Sequence, residues 1–382
     1  MNLLVGFSLV VGYVIDSAVP TRDLTVVVGQ VQLKAVDALI MTGTDMHNVN
    51  PAWVDMAVHH FIEPALGGDY TGIPVTTPEE FWPFGGIWDE TIDDSVEAGV
   101  TALNSVVAET IARHAESEDP SAPIVVFGYS QSAIIVTLEK RRLQQAAAQG
   151  QAPPPLSFVV IANPNRPNGG INERFAGLRL PGWTFSGATP TDTWFPTVDV
   201  VRQYDPFADF PLYPLNAFAL ANAFLGLFYA HDYGQVTLNQ TDPGYKSGTV
   251  IEQHGDTTYY FIPAEHLPLL QPLYDLDFPH QLLDTIEPVL RVLVELGYDR
   301  SIPFGQPAPA QLFPGMDLAR RQTGPATLRG HGGAQRSVRT APDIAAKHPI
   351  EVSRTRQPSE RQRPHHARDV TRNRSVAATV MP

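Results

Sequence analysis

The chain contains no cysteine. Disulfides, thiolate nucleophiles and cysteine-ligated zinc are therefore excluded, and the redox compartment is left open. Charge is sparse, at 17% of residues. No Lys or Arg precedes Arg22, and no clean small-x-small cleavage pattern follows the first apolar run, so the marks of a signal peptide are incomplete. That run, "LLVGFSLVVGYVI", has the length of a signal h-region but is too short to cross a membrane as a helix. It reads either as a signal-like segment or as a buried first strand or helix, within an N-terminal segment taken as residues 1–35. No later run is long enough to span a bilayer.

What is present is 382 residues with 43% hydrophobic content, enough for a large core, and 35 prolines, which predict long loops. The net charge of −14 hides an asymmetry. Residues 318–382 carry 13 Lys+Arg against 4 Asp+Glu, whereas residues 1–317 carry 13 against 36. An acidic body argues against nucleic acid as a partner. The basic tail is rich in Arg, Pro and Ser without sustained apolar periodicity, and it reads as disordered.

Between these ends, strand and helix patterns alternate. Apolar runs at 36–41, 124–127, 158–162, 197–203 and 258–262 read as buried strands. Helical periodicity covers 92–115, where Val96, Val100, Leu103, Val107 and Ile111 recur and Asp93 or Asp94 can cap the start. Further helices are predicted over 132–148, 215–231 and 281–297, the last kinked or broken at Pro288. Strands apolar on both faces, alternating with helices, predict an α/β fold: a mostly parallel central sheet covered by helices on both faces.

One corner carries chemistry. "IVVFGYSQSAIIV" runs a strand into Gly128-Tyr129-Ser130-Gln131-Ser132 and then directly into a helix. A serine at such a strand–turn–helix corner projects its oxygen above the sheet, while the next backbone N–H and the helix N-terminus favour a developing oxyanion. The bland alternative is that Ser130 or Ser132 only caps the helix. A serine nucleophile needs an acid and then a base, in that chain order, at the ends of later strands. Asp205 follows one such strand and His266 a later one, both at the edge where open α/β sheets bind ligands. Asp209 rivals Asp205 but suits a structural turn or cap better. His231, followed by Asp232, is the runner-up base, because it follows a helix rather than a strand. His59-His60 suggests a metal pair only superficially, since adjacent helical residues point about 100° apart. His365-His366 lies in the tail.

Several longer motifs occur in order: "GYSQS", "NPNRPNGG", "SGATPTDT", "QYDPFADFPLYPLN", "EHLPLLQPL" and "EPVLRVLVELGYDRS". Together they resemble the PE-PPE domain of mycobacterial and related actinobacterial proteins, a family similar to cutinase-type serine α/β-hydrolases. The resemblance runs from about residue 36 to 313, so the domain is taken as 36–317. It implies an α/β-hydrolase fold with Ser130 as nucleophile, Asp205 as acid and His266 as base. It also implies an oxyanion hole from Gln131 and from Thr44, whose hydroxyl could add a bond. The expected activity is serine esterase or lipase action on short- to medium-chain acyl esters, without metal or cofactor. Acyl transfer to a sugar or lipid alcohol is the enzymatic alternative, and a catalytically weak surface binding module the non-enzymatic one. The resemblance further implies the cell envelope or secretion, with peripheral contact to lipid. Two departures stand out. No PE or PPE module is visible ahead of the domain. The early loop reads "TGTDMHN" rather than a glycine-richer form, so Asp45 would weaken the oxyanion site if its side chain pointed inward.

Overall fold

A computed structural model describes residues 35–314 except Glu118. The expectations for residues 1–34 and 318–382 lie outside the described residues. The five expected strands, with two that the sequence did not suggest, form one seven-stranded sheet in the order β2-β1-β3-β4-β7-β9-β8. Its members are β1 (Val36–Ile40), β2 (Tyr70–Pro74), β3 (Ile124–Tyr129), β4 (Leu156–Ile161), β7 (Thr197–Arg202), β8 (Val250–His254) and β9 (Thr257–Ile262). All neighbours are parallel except β8, which runs antiparallel to β9 at one edge. A separate two-stranded hairpin pairs β5 (Arg179–Leu180) with β6 (Trp183–Thr184).

Alternation along the central strands feeds two cores. Leu39, Val126 and Phe158 point to one face, against α3 (Ile92–Ala115) and α4 (Gln131–Ala148). Ile40, Phe127 and Val159 point to the other, against Phe61 and its neighbours. That second layer is a helical run of three parts: α1 (Pro51–Met56), a π-helical stretch (Ala57–Ile62) and α2 (Glu63–Leu66). Burial of the sheet on both faces explains why its strands read as continuous apolar runs.

The remaining helices are α5 (Ile171–Arg174), α6 (Ala217–Tyr229), α7 (Gln271–Asp275) and α8 (His280–Glu295). α8 runs through Pro288 as one helix, so the expected break is absent. The cap of α3 also differs from expectation. Thr91 is the N-cap, accepting from the Asp94 N–H at 3.2 Å, while Asp93 turns to the Thr184 backbone and hydroxyl. A mostly parallel sheet with helices on both faces and a sharp strand–turn–helix corner after β3 is the α/β-hydrolase fold.

Candidate active site

Ser130 stands between β3 and α4 with φ 55° and ψ −110°. A left-handed φ is costly for a non-glycine residue and persists only where the surroundings enforce it. Two features do so here. At Gly128 any Cβ would come within 2.8 Å of the Ser132 carbonyl, so only glycine lets strand and helix approach this closely. Ser132 then pins the turn: its hydroxyl accepts from the Tyr129 N–H at 2.8 Å and donates to the Thr42 carbonyl beyond β1. The cap question thus resolves between the two serines. Ser132 ties the corner together, and Ser130 makes no capping bond.

The Ser130 hydroxyl instead lies 2.9 Å from Nε2 of His231. His231 Nδ1 lies 2.9 Å from Oδ1 of Asp205, which is fully buried. Asp205 is held from two further directions. Its Oδ1 accepts from the Phe207 N–H at 2.9 Å, and its Oδ2 accepts from the Tyr233 hydroxyl at 2.8 Å. The Tyr233 hydroxyl also accepts from the Arg202 N–H, closing a chain from the end of β7 to the carboxylate. Burial, with the Asp205 charge second, pushes the Tyr233 phenol well above its ordinary range, so it stays a donor. The imidazole is sandwiched by Tyr129 at 5.5 Å and Phe207 at 4.7 Å between ring centres, and Tyr129 donates its hydroxyl to the His231 carbonyl.

His266 is not at this site, which corrects the expected base. Its Nδ1 lies 2.9 Å from Oε2 of Glu287 on α8, and its ring packs on Tyr274. The reason is the sheet order. β9 lies one strand beyond β7, away from β3, which adds roughly 5 Å. The segment after β9 does not return toward Ser130, because the Leu267 N–H is itself bound to Glu287. His231 reaches the serine because α6 brings the chain back. At Gly226 a Cβ would collide with the Tyr204 carbonyl, so the helix lies directly on the acid loop. That helix ends at Tyr229, two residues before His231. The glycine on the inner side of an otherwise bulky apolar helix, three residues before its end, was the sequence signal for this approach. Tyr233 and Arg202 carried no such signal.

Asp209 is buried and bound to Arg300 and the Tyr204 N–H. It is a structural carboxylate that fixes the acid loop. Burial raises its carboxyl while Arg300 opposes that rise. Gln131, the first residue of α4, is a hub. Its side-chain amide donates to the Glu80 carbonyl and to the Ser95 hydroxyl, and its Oε1 accepts from the Thr44 hydroxyl at 2.8 Å. Thr44 and Gln131 are thus brought together, but the Thr44 hydroxyl is spent on Gln131. Asp45 has φ 65°, its N–H donates to the Glu79 carbonyl, and its carboxylate lies against Gly85, in the loop before α3. Glu79 is fully buried at φ 54°, its carboxyl group bonded only to the Thr77 hydroxyl, and burial pushes that carboxyl up to about 8. His59 pairs with Glu63 at 2.7 Å, and no cluster able to hold a metal occurs among the described residues.

The family model described as "PE-PPE domain" matches residues 69–299. The chain is 43% identical over 283 residues to Esterase PE16 of Mycobacterium tuberculosis, covering 72% of this chain and 51% of that protein. It is 29% identical over 306 residues to SL1278 acyltransferase Chp1 of the same species, covering 74% of this chain and 67% of that one. Among solved structures, a cutinase-like protein from Cryptococcus sp. aligns with 16% identity and a TM-score of 0.27, over 46% of this chain and 78% of its own. The chain spans about half the length of the first curated relatives it matches. With a family model over most of its described residues and its serine corner inside the matched region, the chain belongs to the PE-PPE domain family.

Proposed function

We propose that the protein is a serine ester hydrolase acting on acyl esters of short to medium chain, with Ser130 as nucleophile, His231 as base and Asp205 as the orienting acid. The observation that carries this reading is the continuous line Ser130 Oγ–His231 Nε2 and His231 Nδ1–Asp205 Oδ1, each link 2.9 Å. In the first half-reaction Ser130 Oγ attacks the ester carbonyl as its proton passes to His231 Nε2. The imidazolium faces a buried carboxylate that already accepts two other bonds, so its charge is stabilised without rearrangement. The backbone N–H groups of Gln131 and Thr44 are assigned to the oxyanion. The leaving alcohol takes the proton back from His231. Water, deprotonated by the same ring, then releases the acid and restores Ser130.

Acyl transfer to a sugar or lipid alcohol differs only in what replaces that water. It is favoured by relatives at 29% and 27% identity that are named acyltransferases. Stoichiometric labelling of Ser130 by a fluorophosphonate, lost in Ser130→Ala, tests the nucleophile. An unlabelled but folded protein would leave only the binding-module reading. Product analysis with and without an alcohol acceptor separates hydrolysis from transfer. We also place the protein at the cell envelope or outside the cell, on family membership alone. Recovery of the full chain solely in the soluble cytoplasmic fraction would contradict that placement.

A further inference from the structure

α6 and α8 each leave large apolar side chains facing solvent. On α6 the residues turned inward are Ala219, Asn222, Ala223 and Gly226, spaced at i, i+3, i+4 and i+7. Its large apolar residues face solvent, with Phe224 67% and Phe228 64% exposed. On α8 the stripe Glu287, Arg291 and Glu295 turns inward, to His266, Tyr204 and Arg300. Its outer stripe is Val289, Val292 and Leu296, each more than 60% exposed. α8 also buries Leu283 and Val294, yet a surface helix ordinarily turns such bulky apolar stripes toward the core. The two helices pack on each other, since a Cβ at Gly297 would collide with Ala219 and Asn216 donates to the Leu293 carbonyl at 2.9 Å. Their outer faces therefore adjoin in one apolar surface that a soluble monomer would rarely leave bare.

We propose that this surface docks on a neutral lipid phase and sets the Ser130 site at its boundary. The proposal rests on the ester-hydrolase reading for its purpose, not for its geometry. Three observations select lipid as the occupant. First, the surface is continuous with the site: α6 ends two residues before His231 and carries no charged residue from Ala217 to Tyr229. Second, an independent apolar loop lies near the residues assigned to the oxyanion. It exposes Phe84, Ile87 and Trp88, the last at 91%, and it adjoins Asp45 and Glu80, which border the oxyanion residues. Two separate apolar regions near one site suit an apolar phase, and exposed Trp is the side chain that settles at such boundaries. Third, the full chain, basic residues 318–382 included, carries 40 acidic against 26 basic residues, a net charge of −14. That balance repels an anionic bilayer and leaves neutral or zwitterionic lipid.

The absence of cysteine permits a direct test with the full chain. Val292→Cys is labelled with an environment-sensitive thiol dye in a Ser130→Ala background, so that turnover cannot interfere. Vesicles of phosphatidylcholine should shift its emission to the blue, and anionic vesicles at low salt should do so several-fold less well. The triple variant Val289→Gln, Val292→Gln, Leu296→Gln should float with vesicles about 10-fold less. It should lose a similar factor on emulsified ester and stay within about 2-fold on a water-soluble acetate ester. A dye that ignores vesicles overturns the proposal. So does a dimer by light scattering that the triple variant dissolves, which would make a second copy the occupant. A dye already blue-shifted in a monomer overturns it too, by showing that the chain covers its own face. Vesicle binding without any esterase activity would sink the hydrolase reading and leave docking intact.

Discussion

Two histidine–carboxylate pairs lie beyond the C-terminal ends of neighbouring strands, and they are locally alike. His231 Nδ1 to Asp205 and His266 Nδ1 to Glu287 are both 2.9 Å. They differ in what surrounds them. Glu287 also binds Arg291 and the Leu267 N–H, so its charge is already matched by a cation and no proton acceptor is being poised. Asp205 has neutral donors, Tyr233 and Phe207, and the free side of its histidine meets Ser130. A neutral shell leaves the carboxylate charge to be used by the imidazolium when it forms. The lesson is that a histidine after a strand and an acid within reach do not make a base. The third partner does.

The comparison breaks first at the two histidines. His231→Ala should lower kcat on a soluble ester by roughly 10³-fold or more, because such a set acts as a unit. His266→Ala should stay within about 3-fold while lowering the melting temperature. If the ranks reverse in folded variants, the pairs have been assigned the wrong way round.

The carboxylates come next. Asp205→Asn should cost roughly 10²- to 10⁴-fold in kcat by favouring the wrong tautomer of His231. Asp209→Asn should cost little activity but roughly 3 kcal/mol of stability, since it leaves the buried side of Arg300 short of an anion. Denaturant midpoints and kcat measured on the same two preparations decide the matter.

Tyr233→Phe sharpens the contrast between neutral and cationic support. Removing one neutral donor from a buried carboxylate should reduce kcat by roughly 10-fold, equivalent to about 1.4 kcal/mol, with KM nearly unchanged. An unchanged kcat would show that Phe207 and His231 suffice.

Glu79 is another buried carboxylate, with neither histidine nor cation. Burial raises its carboxyl to about 8, against the Thr77 bond that lowers it, from an ordinary value of 4.5. The folded state therefore holds this proton more tightly than the unfolded chain. The stability it contributes is complete below about pH 4.5 and is lost as pH rises through about 8. Glu79→Gln should flatten that decline, a difference on the order of a few kcal/mol between the two limits. Parallel urea midpoints across the range would expose the error if the wild-type and variant curves coincide.

The sequence alone determined the α/β class, because strands buried on both faces must be apolar throughout and helices apolar on one stripe. It also located the serine corner, since Gly128 and Ser132 are the small residues that a strand–turn–helix approach requires. It favoured Asp205 over Asp209, where the difference lay in position just after a strand. It missed α1, α2, β2 and β8, and it placed the base at His266. Those depended on neighbours distant in the chain. β8 is an exposed edge whose pairing, not its apolarity, makes it a strand. Only the tertiary structure could show which of His231 and His266 lies against Ser130. That choice turns on strand order and on a helix returning over the acid loop, and neither leaves a periodic mark in the residues themselves.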